Sequence, residues 1–190
     1  KRQIADSILK HVDTFEAITF LLPNGDMYME EPYDRQLRLS KDNFAFRDYY
    51  QGAINTKQAF LGDVIESSST GEKVALISVP IYLNKDPSLL GIWSGTLNLS
   101  KFNNILQSLS LPNDLRVVYV DGNSQKIADS NSLLSNKSES FADLNSFKSG
   151  KSGKSGNTSE VINGTEFLVS YAPVDVLSKT WIVMVVMQPG

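Results

Sequence analysis

The chain has 190 residues, 41% hydrophobic and 21% charged, with a net charge of −3 and no cysteine. Such a composition buries one substantial core or two small ones. The acidic balance excludes a nucleic-acid or anionic-membrane surface, which needs a basic field, and the missing thiols exclude a disulfide framework and thiolate chemistry.

Apolar residues Ile4, Ile8, Leu9 and Val12 fall at helical spacing, so the chain opens inside a helix and reads as part of a longer protein. A β-rich run, Ala17 to Leu22, then meets the turn Pro23-Asn24-Gly25-Asp26 and a second strand, Met27 to Glu30. Asn-Gly between β-rich runs predicts a hairpin, because the favoured turn needs positive φ at its centre. Adjacent residues alternate direction in a strand, so Glu30 and Glu31 do not form a facing carboxylate pair and read as surface charge. Next comes an aromatic segment, Phe44 to Tyr50, read as a helix ending in Arg47-Asp48-Tyr49-Tyr50. A strand around Leu61 to Val64, a hairpin at Ser67 to Gly71, a strand Val74 to Ile81 and a strand at Ile92-Trp93 complete this half.

Ser100 is placed to cap a helix whose apolar positions are Phe102, Ile105, Leu106 and Leu109, and Pro112 stops it. Beyond it the pattern repeats. Leu115 to Val120, the turn Asp121-Gly122-Asn123 and Lys126 to Asp129 form a second hairpin, with Gly122 expected to match Gly25. Val169 to Val174 and Trp181-Ile182 repeat the closing strands. The longest apolar run, Trp181 to Met187, reads as a buried strand and is far short of the roughly 18 residues of a membrane span. The duplication predicts an α+β fold of two PAS-like modules, each an antiparallel sheet of about five strands with flanking helices. Residues 1–12 would end a long N-terminal helix, 13–100 form one module, 101–110 a linking helix and 111–190 the second module.

Few residues carry chemistry. The tract Lys148 to Gly156 contains Gly-Lys-Ser twice, but Asn145 and Lys148 stand where a phosphate-binding loop needs glycine, so it reads as a solvated loop. His11 is the only histidine, without the spacing of a triad or a metal site, so neither a catalytic nor a metal assignment is made and no cofactor is expected. Four Asn-x-Ser/Thr triplets, at Asn98, Asn136, Asn157 and Asn163, are what this composition produces by chance. Arg47 differs: an arginine among aromatic and apolar neighbours needs an anion, and its planar fork matches a carboxylate. Either Asp48 or Asp63 supplies that anion, or a bound ligand does.

From Phe44 to Ser100 the order of helix, Arg47, Tyr49, Tyr50, hairpin and Val79-Pro80-Ile81 resembles the membrane-distal module of double Cache sensor domains, the extracytoplasmic ligand-binding domains of sensor histidine kinases and chemoreceptors. The likeness extends over nearly the whole chain. It implies a ligand-sensing, non-enzymatic domain, most simply of a histidine kinase. The alternatives are an amino-acid chemoreceptor or a ligand-free adhesion domain. It also implies an extracytoplasmic location, attachment through flanking transmembrane helices absent here, and the N-terminal helix as a candidate homodimer contact. In amino-acid-binding members the arginine and the aromatics that follow hold the ligand carboxylate, which carries over to Arg47, Tyr49 and Tyr50. The aspartate for the ligand ammonium falls at Leu97, a tyrosine before the arginine is replaced by Asp42, and a pocket tyrosine corresponds to Ile65. With Asp63, Ser67 and Trp93 added as neighbours, the resemblance implies a small organic acid or amino-acid-like ligand bound only in the first module.

Overall fold

The computed structural model describes residues 1–83 and 86–188, and within it the chain divides into two compact units, Lys1–Asn98 and Leu99–Gly190. The fold is α+β with two separate antiparallel sheets, of six and five strands.

In the first unit, helix α1 (Arg2–His11) precedes strands β1 (Phe15–Leu21) and β2 (Met27–Glu31). The short helices α2 (Tyr33–Leu37) and α3 (Asp48–Thr56) lead to β3 (Phe60–Leu61), β4 (Ile65–Glu66), β5 (Lys73–Leu83) and β6 (Asp86–Leu97). The strand order is β2-β1-β6-β5-β3, with β4 pairing β5. One face of the sheet packs Ile18, Phe20 and Met29 against Ala5, Ile8 and Leu9 of α1. The other packs Leu21, Val74, Leu76 and Ile92 against Phe44, Tyr49, Tyr50 and Ala53. This second core holds the candidate site.

The second unit runs α4 (Leu99–Ser108), β7 (Leu115–Val120), β8 (Lys126–Asp129), α5 (Asn145–Lys151), β9 (Gly156–Ile162), β10 (Thr165–Val176) and β11 (Lys179–Met187). Its sheet order, β8-β7-β11-β10-β9, repeats that of the first unit. Among the described residues no helix is long and apolar enough to cross a membrane.

The hairpin registers establish which residues correspond. In the first, Thr19 faces Glu30 and Leu21 faces Met27 across a bulge; in the second, Val118 faces Asp129 and Val120 faces Lys126 across the same irregularity. The turns are closed alike: Leu22 N–H donates to Asp26 O at 2.8 Å, and Asp121 N–H to Gln125 O at 2.9 Å. Gly25 (φ 87°) therefore matches Ser124 (φ 65°), not Gly122 as the sequence pattern suggested. Each closes its turn in the left-handed region, and backbone geometry rather than residue type fixes the alignment.

Two further expectations are corrected. Arg47, Asp48, Tyr49 and Tyr50 begin a helix instead of ending one: Arg47 is the N-cap of α3, and Gln51 N–H donates to its carbonyl at 3.0 Å. The Ser/Gly/Lys tract is not all solvated loop. Its first part is α5, with Ser146, Phe147 and Gly150 buried. Gly150 is needed there, because a Cβ would stand 2.7 Å from the Ile182 methyl, closer than packed carbons approach.

Candidate functional site

Arg47 occupies a position where Ser, Thr, Asp or Asn is favoured, because an N-cap side chain normally accepts from the helix's first free N–H groups. Arginine has no acceptor, and its side chain makes no capping bond. It instead reaches a small cavity on the α3 side of the sheet. Nη2 donates to Ser68 Oγ at 3.0 Å, while Nε is buried with no hydrogen-bond partner among the described residues. The neighbouring carboxylate does not answer it, since Asp48 Oδ2 accepts the Asp63 backbone N–H at 2.7 Å. That bond ties the first turn of α3 to the chain beyond β3, and a carboxylate there also suits the positive end of the helix.

The cavity measures about 40 Å³ and lies among Arg47, Tyr49, Ile65, the serines Ser67 to Ser69, Glu30, Arg35, Thr19 and Thr96. That is room for roughly three or four water-sized groups. A wider opening of about 480 Å³ lies beyond it, lined by Lys41, Phe46, Arg47, Ser67 to Ser69 and Gly71. Arg47 and the three serines thus wall both spaces. The serine segment is a tight hairpin: Ser67 N–H donates to Glu72 O and Gly71 N–H to Ser67 O, each at 2.8 Å. Two arginines reach it, Arg47 at Ser68 and Arg35 at Ser67, the latter at a long 3.5 Å.

Arg35 is buried beside two carboxylates, with Nη1 at 2.9 Å from Glu16 Oε1 and Nε at 3.2 Å from Glu30 Oε1. Glu30 is only 4% exposed, and its Oε2 has no partner among the described residues. Burial pushes the Glu30 carboxyl above its ordinary range, with Arg35 pulling the other way. Burial likewise pushes the Tyr49 phenol up, so it is neutral at physiological pH.

Of the residues the sequence nominated, Arg47, Tyr49, Ile65 and Ser67 come together around the cavity. Tyr50, Asp63 and Trp93 are not among its lining residues. The Tyr50 ring is in the core and its hydroxyl donates to Pro23 O at 2.7 Å. Because the helix starts at Asp48, residues 47 and 49 face the cavity and residue 50 turns toward the first hairpin. Trp93 lies on the opposite face of the sheet, edge-on to Phe20 at 5.1 Å between ring centroids in the α1 core. Strand alternation explains this: Ile92 and Thr96 point toward the cavity side, whereas Trp93 and Leu97 have the other parity. Thr96, not Leu97, is therefore the β6 residue at the site.

Sequence reasoning missed Glu30 and Arg35 and took Glu30 for surface charge. The bulge at Tyr28 hid it. By strict alternation Met27 and Met29 share a face, but the bulge sends Met27 to the cavity core and Met29 to the α1 core, and so turns Glu30 inward. A signal was available at Arg47, where a non-accepting residue holds a helix cap at a cost to local stability.

A protein-family model described as Cache domain matches residues 1–189. No curated protein sequence matches the chain. Solved structures share its fold at low identity. The ligand-binding domain of the Pseudomonas aeruginosa PAO1 amino acid chemoreceptor PctB, in complex with L-Gln, is 18% identical with a TM-score of 0.69, over 93% of this chain and 69% of that one. That of PctC from the same organism, in complex with GABA, is 20% identical with a TM-score of 0.69, over 99% and 81%. The extracellular domain of rpHK1S-Z16, a protein assigned as a histidine kinase, is 14% identical with a TM-score of 0.78, over 98% and 76%.

Proposed function

Because the chain belongs to the Cache domain family, whose members are ligand-binding and non-enzymatic sensor domains, we propose that it is the extracytoplasmic sensor of a transmembrane receptor and binds a small carboxylate in the cavity of its first unit. The observation that carries this reading is the Arg47 guanidinium, set in the wall of the cavity with a buried N–H left over and no ion pair among the described residues. A carboxylate supplies the missing acceptor and charge together, and the adjoining serine and tyrosine hydroxyls suit the same anion. On this reading Arg47, Tyr49, Ile65 and Ser67 contact the ligand. Tyr50 and Asp63 support the contact surface from behind, and Trp93 has no part in it.

Binding belongs to the first unit alone. In the second, the residue matching Arg47 at the helix cap is Leu144, and the position matching Glu30 is filled by an internal charge network. A histidine kinase is the output we favour, with a methyl-accepting chemoreceptor as the alternative. Helix α1 would then be the end of a longer helix rising from the membrane, and a candidate dimer contact.

A carboxylate of about four heavy atoms gains at most about 6 kcal/mol, so its dissociation constant should be no tighter than tens of micromolar. Calorimetric titration with acetate, propionate and lactate should give saturable binding. Arg47→Ala should weaken it at least about tenfold, since a charge-assisted bond contributes roughly 1.5 to 3 kcal/mol. Equal affinity in Arg47→Ala and wild type, with the melting temperature unchanged, would sink the assignment.

A further inference from the structure

Two buried side-chain polar atoms around the cavity lack partners among the described residues, and they are of opposite kind. Arg47 Nε is a donor and carries positive charge; Glu30 Oε2 is an acceptor on a carboxylate. A ligand bearing only a carboxylate answers the first and leaves the second. Glu30 is more than nine-tenths buried, so the free lone pairs of its Oε2 cannot be satisfied by bulk solvent. The charge count agrees: Arg35, Arg47, Glu16 and Glu30 sum to zero before a ligand enters, so a bare anion leaves these groups and the ligand at −1 together, whereas a ligand carrying both charges leaves them neutral.

We propose that Glu30 is the specificity-determining residue of the site and accepts a hydrogen bond from a protonated amine on the ligand, which is therefore a small amino carboxylate rather than a simple acid. The inference rests on the carboxylate reading of Arg47 and extends it. The acceptor comes from β2, not from the β6 position that the family resemblance indicated, whose residue Leu97 has the wrong strand parity. Arg35 and Glu16 hold it in place: Arg35 fixes Oε1 and is itself fixed by Glu16, so Oε2 is left without a donor on a residue that lines the cavity. The charged or titratable groups facing Glu30 are Arg35, Arg38 and Asp34 from α2, Glu16 from β1, Arg47 from the α3 cap and the neutral Tyr49 phenol from α3. None of them supplies a second donor to Oε2.

Matched pairs that differ only by an amine test it by calorimetry: glycine against acetate, β-alanine against propionate, and 4-aminobutyrate against butyrate. At least one amine should bind about tenfold or more tightly than its partner, and its affinity should fall as pH is lowered and Glu30 takes up a proton. Glu30→Gln should reduce the preference to about threefold or less, weakening the amine and, with the negative charge gone, tightening the acid. Glu30→Asp, which keeps the charge, should restore part of it. Arg47→Ala should weaken both members of a pair, which separates failure of the carboxylate reading from failure of this one. Acids that bind as well as their amines, an amine preference that Glu30→Gln leaves intact, or no binding by any amine would each overturn the proposal.

Discussion

Glu30 and Asp129 occupy the same place on corresponding hairpins, yet they live in different electrostatic surroundings. Glu30 keeps one oxygen unpartnered beside a cavity. Asp129, fully buried, accepts from Arg116 Nη2 at 2.6 Å, Arg116 Nε at 3.1 Å and Lys126 Nζ at 3.1 Å. Glu139 joins the network by accepting from Lys126 Nζ at 2.7 Å and from Arg116, and Lys126 also donates to the Leu134 carbonyl. Two cations and two anions thus close on one another, and they pin the segment from Asn131 to Glu139 against the sheet. Burial works against both carboxylates, but the bonds from Arg116 and Lys126 hold Asp129 and Glu139 below the usual range, whereas burial raises Glu30. A duplicated scaffold has been used once with its polar valences complete and once with two left open. Completed valences suit a structural element, and open ones suit a binding site.

The largest effect that sharpens this contrast is on stability. Asp129→Ala leaves Lys126 and Arg116 with Glu139 as their one remaining carboxylate partner in the network and should destabilise the second unit by about 3 kcal/mol. Glu30→Gln, which relieves an under-satisfied charge, should change the first unit by no more than about 1 kcal/mol. Each unit has one tryptophan, Trp93 or Trp181, so urea unfolding of Trp93→Phe and Trp181→Phe backgrounds reports them separately. Comparable losses from the two substitutions would break the comparison.

Acid should also divide the units. Asp129 and Glu139 are more acidic folded than unfolded, so their contribution is present above the unfolded carboxylate values near 4 and disappears as pH falls through their lower folded values. Glu30 has the opposite sign. Its charged form costs stability above its raised folded value, and the cost is relieved as pH falls through that value. Acidification toward pH 4 should therefore leave the second unit level while the first gains, and Glu30→Gln should remove that gain. Parallel pH curves for the two tryptophans would contradict the assignment.

A smaller effect is expected at the cap. Arg47→Ser supplies the missing acceptor to α3 and should raise the melting temperature, at most by the equivalent of about 1 kcal/mol, while abolishing carboxylate binding. Loss of stability on this substitution would mean that Arg47 serves the fold rather than a ligand. The smallest effect on ligand affinity is expected from Tyr50→Phe, which removes the bond to Pro23 O at a cost of about 0.5 to 1.5 kcal/mol and should leave affinity within about threefold because Tyr50 does not line the cavity.

Much of this architecture is legible in the chain. The hairpin at Asn24-Gly25, the alternation in β5 and the apolar run of β11 follow from period and turn chemistry, and Arg47 stands out as a cation among aromatics. What the chain conceals depends on single-residue offsets. The bulge at Tyr28 reverses the side to which Glu30 points, the start of α3 at Asp48 decides that Tyr49 rather than Tyr50 meets the cavity, and parity along β6 separates Thr96 from Leu97 and Trp93. Arg35 is invisible because its partners, Glu16 and Glu30, are brought to it by strand pairing and not by spacing. The tract after Asn145 reads as loop because its helix is stabilised by Phe147 and the close contact of Gly150 with Ile182, both of them tertiary.

The backbone of Arg47 has a consequence of a mechanical kind. Its carbonyl accepts the first hydrogen bond of α3, from Gln51, while its guanidinium walls the cavity, so one residue is both the hinge-pin of a helix and its handle. A load on the guanidinium is delivered to the helix start with only one side chain of slack. The helix is seated by Tyr49, Tyr50 and Ala53 in the same core as β5. On the proposed reading, occupancy of a space no larger than a few water molecules would be converted into tension at the end of a nine-residue rod, and the amide of Gln51, which exchanges with solvent only when that first turn loosens, would be the natural gauge of it.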